Sequence, residues 1–165
     1  MKKILLALFL VSSALTFSAR VDKSTETVVK NNIVYVGKEK SPYTGIVEEY
    51  YPNGVLEVRY NLKNGQLDGV SKAYHQNGNL KAEGTYKNGL QVGIQKEYDK
   101  NGKLVLEVSY KNNKRNGVAK KYYSNGQLEK EATYKNDVLD GPAKIYNKNG
   151  QLESEAIYKN GQQVK

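Results

Sequence analysis

The chain has 165 residues, enough for one domain, and its 26 Lys and Arg against 17 Asp and Glu make it basic. It contains no cysteine, which excludes disulfides, a thiol nucleophile and a cysteine-linked lipid anchor. His75 is the single histidine and no GxxxxGK[ST] phosphate loop occurs, so the inventory for catalysis is poor and no cofactor is implied.

Residues 1–19 have the pattern of a secretory signal: Lys2 and Lys3, an apolar run from Ile4 to Leu15, then small residues, with cleavage after Ser18 or Ala19. The run is too short to stay across a bilayer. The expected location is therefore outside the cytoplasm, whether periplasmic, at the cell surface or extracellular. Losing Lys2 and Lys3 lowers the formal net charge from +9 to +7. Phe9 and Phe17 leave with the signal, so the 14 tyrosines become the aromatic content.

Residues 20–32 are polar without helical period and read as a flexible leader. Residues 33–42 read as a capping strand, Ile33–Val36, and a turn at Pro42. From residue 43 to 165 the chain repeats a 24-residue unit without insertion, visible in Gly45, Gly69, Gly93, Gly117 and Gly141, and in the matching columns Tyr50 to Tyr146 and Leu56 to Leu152. A fixed period of this size means stacked supersecondary units.

Each unit has two strand-like segments around an Asn-Gly whose glycines are Gly54, Gly78, Gly102, Gly126 and Gly150, and these are the structural turns of β-hairpins. Side-chain parity favours a three-residue loop such as Gln76-Asn77-Gly78, with its glycine left-handed. Such a loop pairs Tyr74 with Leu80, then Lys72 with Ala82 and Val70 with Gly84. The resulting face holds Val70, Tyr74, Leu80 and Tyr86 over the small residues Gly84, Ala132 and Ala156, and leaves Glu83, Glu107, Glu131 and Glu155 on a wet opposite face. The fold class expected is all-β, an elongated single-sheet array of five hairpins. No sixth fixed glycine follows Lys159, so Leu152–Tyr158 is expected to be an open edge.

The Tyr, Asn-Gly, spacer, Gly pattern, as in Tyr86-Lys87-Asn88-Gly89 followed by Gly93, resembles the MORN repeat, and the 24-residue hairpin form with NGxLxxE is similar to its bacterial variant. The resemblance covers residues 43 to 161, although the first unit has Arg59 and Leu62 where the others have Glu and Tyr. It implies a binding or scaffolding module, and bacterial variant-repeat proteins of this kind are often labelled antitoxin-like. A kinase label belongs to plant proteins that carry these repeats ahead of a catalytic domain, and no such domain is present here.

His75 shares a column with Tyr51, Asp99, Tyr123 and Asn147, a variety that suits solvent better than a catalytic base. The glutamate column suits cross-strand ion pairs. The candidate binding face is Lys72, Tyr74, Lys96, Tyr98, Lys120, Tyr122, Lys144 and Tyr146, lysine stems lying on tyrosine rings with their charges in water. Its expected partner is a protein, as for a secreted, non-catalytic interaction module. The alternative is an anionic envelope surface, lipid or cell-wall polymer, held by the lysines. Nucleic acid is disfavoured by export.

Overall fold

The computed structural model describes residues 27–36 and 41–164. Residues 1–19, read as a signal peptide, residues 20–26 of the leader and residues 37–40 of the capping segment lie outside the described residues. Among those described there is no helix, and fourteen strands follow in order: β1 (Thr27–Lys30), β2 (Ile33–Val36), β3 (Gly45–Tyr50), β4 (Leu56–Lys63), β5 (Gln66–Leu67), β6 (Gly69–Tyr74), β7 (Leu80–Lys87), β8 (Leu90–Tyr98), β9 (Leu104–Lys111), β10 (Lys114–Tyr122), β11 (Leu128–Lys135), β12 (Val138–Tyr146), β13 (Leu152–Lys159) and β14 (Gln162–Gln163). All but β1 and β2 form one antiparallel sheet in chain order, with β5 an extra partner of β4.

The unit hairpins close as three-residue loops. In the second unit the Gly78 amide donates to the His75 carbonyl at 2.8 Å and the His75 amide to Asn79 at 2.8 Å, a type I turn followed by a left-handed glycine. The five turn glycines have φ of 80 to 87°. Tyr74 then faces Leu80 as the sequence suggests.

The next pairs depart from expectation. Ala73 faces Ala82 and Lys72 faces Glu83, because Lys81 is an extra residue opposite no partner. That β-bulge recurs at the same place in every hairpin. A slip of one residue exchanges the faces of everything beyond it. The predicted common face of Val70 and Tyr74 with Tyr86, Gly84, Ala132 and Ala156 is therefore wrong. Val70, Lys72 and Tyr74 lie on an outer face together with Glu83, while Ser71, Ala73, Ala82, Gly84 and Tyr86 lie on the inner one and are buried.

The links between units are tight turns of their own. Lys87 pairs with Leu90 across Asn88-Gly89, and the five links have φ of 49 to 53° at the first turn residue and 66 to 81° at the second. Positive φ at both central residues is the type I′ turn, which asparagine tolerates and which matches strand twist. Just past each of the first four links the phase-locked glycine absorbs a second irregularity. At Gly117, φ is 113° and a Cβ would stand 2.9 Å from that of Ser109.

The core lies at the N-terminal end of the inner face, built from Val47, Val58, Tyr60, Leu62, Ala73 and Tyr86. The β1–β2 hairpin packs on it through Val34, held by the Val34 amide on the Gly65 carbonyl at 2.9 Å. The leader assigned to residues 20–32 is thus shorter than its composition suggests, since Thr27–Lys30 pairs with β2. The Leu152–Tyr158 strand is not open along its whole outer side either. Tyr158 and Lys159 pair with β14, and the Val164 amide donates to the Ile157 carbonyl at 2.8 Å.

Candidate functional site

The outer face gathers three parallel rows. Nearest the unit turns run Tyr74, Tyr98, Tyr122 and Tyr146, and two residues earlier on each strand stand Lys72, Lys96, Lys120 and Lys144, so all eight predicted binding residues share one face. The third row is aliphatic: Ile46, Val70, Ile94 and Val118 are 44, 42, 53 and 39 % exposed. These residues face Asn61, Thr85, Ser109 and Thr133 on the neighbouring strands.

The lysine row is not free positive charge. Each lysine stands opposite the glutamate that the sequence reading had placed on the other face, giving Lys72–Glu83 and Lys96–Glu107 at 3.8 Å, and Lys120–Glu131 and Lys144–Glu155 at 3.6 Å. Lys96, Lys120 and Lys144 also face the glutamate of the preceding hairpin, so the charges alternate across the sheet. The first unit reverses the polarity, with Arg59 3.4 Å from Glu48. Tyrosines join this ladder: Tyr98 donates to Glu83 at 3.2 Å and Tyr122 to Glu107 at 2.7 Å. Desolvation and the Glu107 carboxylate push the Tyr122 phenol up to about 12.

His75 belongs to the turn edge. Its Nε2 lies 2.9 Å from the Tyr98 carbonyl one unit on, as Tyr51 and Tyr123 reach Tyr74 and Tyr146 at 2.7 and 2.9 Å. Asp99 and Asn147, in the same column, instead accept amides of their own turns. The column varies because several side chains satisfy turn backbone, which periodicity alone does not show.

On the inner face, past the covered core, lies a groove of about 1240 Å³ whose walls include Val34, Leu62, Gln95, Tyr110 and Arg115. Gln91 donates to Gln95, and Gln95 to Glu97 at 2.9 Å. The Arg115 guanidinium stacks 4.2 Å above the Tyr134 ring centre, a cation–π contact, while its Nε lies 3.2 Å from Asp137. Tyr86, 1 % exposed, lies against Gly84, its ring 3.6 Å from where a Cβ would sit. Among the described residues no group of His, Asp or Glu could hold a metal ion.

The sequence model of the family described as MORN repeat variant matches residues 43–64, 67–88, 91–112, 115–136 and 139–160. No curated protein matches the chain. A solved structure described as "Crystal Structure of TarM" aligns with TM-score 0.38 at 12 % identity, covering 70 % of this chain and 22 % of that one. Another, described as "Crystal structure of GtfA/B complex bound to UDP and GlcNAc", aligns with TM-score 0.26 at 14 % identity, covering 86 % of this chain and 25 % of that one. The chain therefore spans a quarter or less of the length of those two proteins. Likenesses at these scores carry no argument about activity.

Proposed function

Because the chain belongs to the MORN repeat variant family, whose repeats are non-enzymatic protein- and lipid-binding modules, we propose that it is an exported protein-binding module that meets its partner with the outer face. The observation that carries this reading is the aliphatic row Ile46, Val70, Ile94 and Val118, exposed beside a charge ladder that is already neutralised. A row of exposed aliphatic side chains, spaced by small polar residues on the intervening strands, suits contact with a protein surface. Lysines each held by a glutamate offer little to an anionic surface, which disfavours lipid or cell-wall polymer at this face. Export rests on the Lys2-Lys3 and Ile4–Leu15 pattern, and a non-catalytic role on the poor inventory of catalytic groups.

The test is cross-linking of the mature chain in extracts of its own cell envelope, beside a Val70→Lys, Ile94→Lys, Val118→Lys variant. The parent should retain one protein at about 0.5 M salt, where the Debye length is below the 8 Å of physiological salt, and the variant should lose it. Equal capture by both, or capture that vanishes with salt, counts against the outer face.

A further inference from the structure

The geometry points to a polyanion-binding cleft on the link-turn edge of the sheet, between the β9–β10 and β11–β12 turns, made by Lys111, Lys114 and Lys135 and suited to a linear phosphate-bearing polymer. It lies at the link-turn end of the outer face, where Thr133 borders the aliphatic row at Val118, and it does not rest on the reading given for that row.

The argument starts from a regularity of the links. Each unit ends in a lysine just before the type I′ turn, and the residue nineteen positions earlier stands beside it. Where that residue is aspartate, an ion pair forms: Lys87 lies 3.9 Å from Asp68 and Lys159 3.1 Å from Asp140. The first link lacks the aspartate, with Thr44 nineteen positions before Lys63, and so do two successive later links. Val92 stands where Lys111 would find its carboxylate, and Asn116 stands where Lys135 would find its own.

The same link adds charge. At the position of Lys114 the other units have Gln66, Leu90, Val138 and Gln162, so KNNKRNG is the one link that carries a lysine there. Lys111, Lys114 and Lys135 are exposed and, among the described residues, make no ion pair within 4 Å, although, beside the Arg115 amide, Lys114 is near enough to help lower the Asp137 equilibrium, while Arg115 lies 3.2 Å from Asp137.

These three lysines line one cleft of about 740 Å³ together with Asn112, Asn136 and Thr133. Asn116 Nδ2 donates to Asn136 Oδ1 at 3.4 Å, so the amides are oriented toward one another across the cleft. Asp140 is the one carboxylate in its wall, and Lys159 already neutralises it. Unpaired cations, amide and hydroxyl donors in one cleft are the chemistry that binds successive phosphate oxygens, with affinity drawn from displaced counterions. A cleft running between turns fits a chain better than a flat bilayer.

The experiment titrates the mature chain with linear polyphosphate at several salt concentrations. Two variant sets are compared with the parent: Lys111→Gln, Lys114→Gln, Lys135→Gln in one, and Val92→Asp with Asn116→Asp, which install the missing ion-pair partners, in the other. Both should keep the strand circular dichroism and bind at least about tenfold more weakly, and the first should lower the slope of log affinity against log salt by about one per lysine removed. A ladder variant with Lys72, Lys96, Lys120 and Lys144 changed to Gln should bind as the parent does. Unchanged binding by the cleft variants, equal loss in the ladder variant, or attachment to anionic phospholipid vesicles with none to polyphosphate would each overturn the assignment.

Discussion

Glu49 on β3 has the most displaced carboxyl equilibrium among the described residues, raised to about 7 first by burial and then by the charge of Glu57. Its Oε2 is buried without a hydrogen-bond partner, and the pair keeps the neighbouring Tyr60 phenol well above its usual range, after burial itself. Glu57 is raised as well by burial, with Lys81 acting against the rise. A carboxyl whose folded equilibrium lies above its unfolded one binds its proton more tightly in the native state, so stability falls as pH rises from about 4.5 to about 7. The melting temperature should therefore decline between pH 5 and pH 7.5. Glu49→Gln should flatten that decline and raise the melting temperature at the upper end. Thermal scans of parent and variant across this range check it, and parallel curves would mean that the Glu49 carboxyl is solvated.

At the scale of the hairpin, two kinds of turn do different work, and each is written in the sequence. The unit loop needs a left-handed glycine, and at Gly126 an added Cβ would meet nothing within 4 Å, so a substitution there reports backbone strain alone. Gly126→Val should cost about 1 to 2 kcal/mol. Denaturant midpoints measure it, and agreement with the parent within error would remove the left-handed requirement. The period, the hairpins and this loop were legible because Asn-Gly and the glycine, tyrosine and leucine columns mark them. The link turns were equally marked, by Asn64-Gly65, Asn88-Gly89 and Asn160-Gly161, but the substitutes Asn112-Asn113 and Asn136-Asp137 blur that second signal. The bulge left no mark. Its extra residue is Lys81 in the second hairpin, which does not take a positive φ and so needs no glycine or asparagine, and nothing at that position announces that the faces exchange. Everything that depended on parity beyond it was misplaced, including Tyr86, Gly84 and the glutamates. The lysine and tyrosine rows escaped because they lie on the strand before the bulge. That is why the four lysines and four tyrosines share one face while its charge was misjudged.

Over the whole molecule, burial is graded along the array. The inner-face residues Val47, Val58, Tyr60 and Leu62 of the first unit are buried under the β1–β2 hairpin, whereas their counterparts in the last two units are half-buried at most. An array whose units touch only their neighbours has a stability that is a sum of local terms, so uneven covering makes uneven stability. The hairpin is then a structural lid for one end rather than a spacer. Its seat is specific: Val34 donates to the Gly65 carbonyl and accepts from Tyr43, each at 2.9 Å, and its side chain is buried. Val34→Asp places a carboxylate in that seat and should cost at least about 2 kcal/mol. The same kind of change at Ile145, on the inner face of β12 but 40 % exposed, should cost less than about 1 kcal/mol. Native-state hydrogen exchange reads the consequence directly. In the parent, amides of β4 to β7 should exchange slowest and those of β12 and β13 fastest. Val34→Asp should accelerate the slow set selectively, down to the level of the far end. Uniform protection along the array, or equal penalties at Val34 and Ile145, would mean that the sheet opens as one cooperative unit and that the cap stabilises all of it alike.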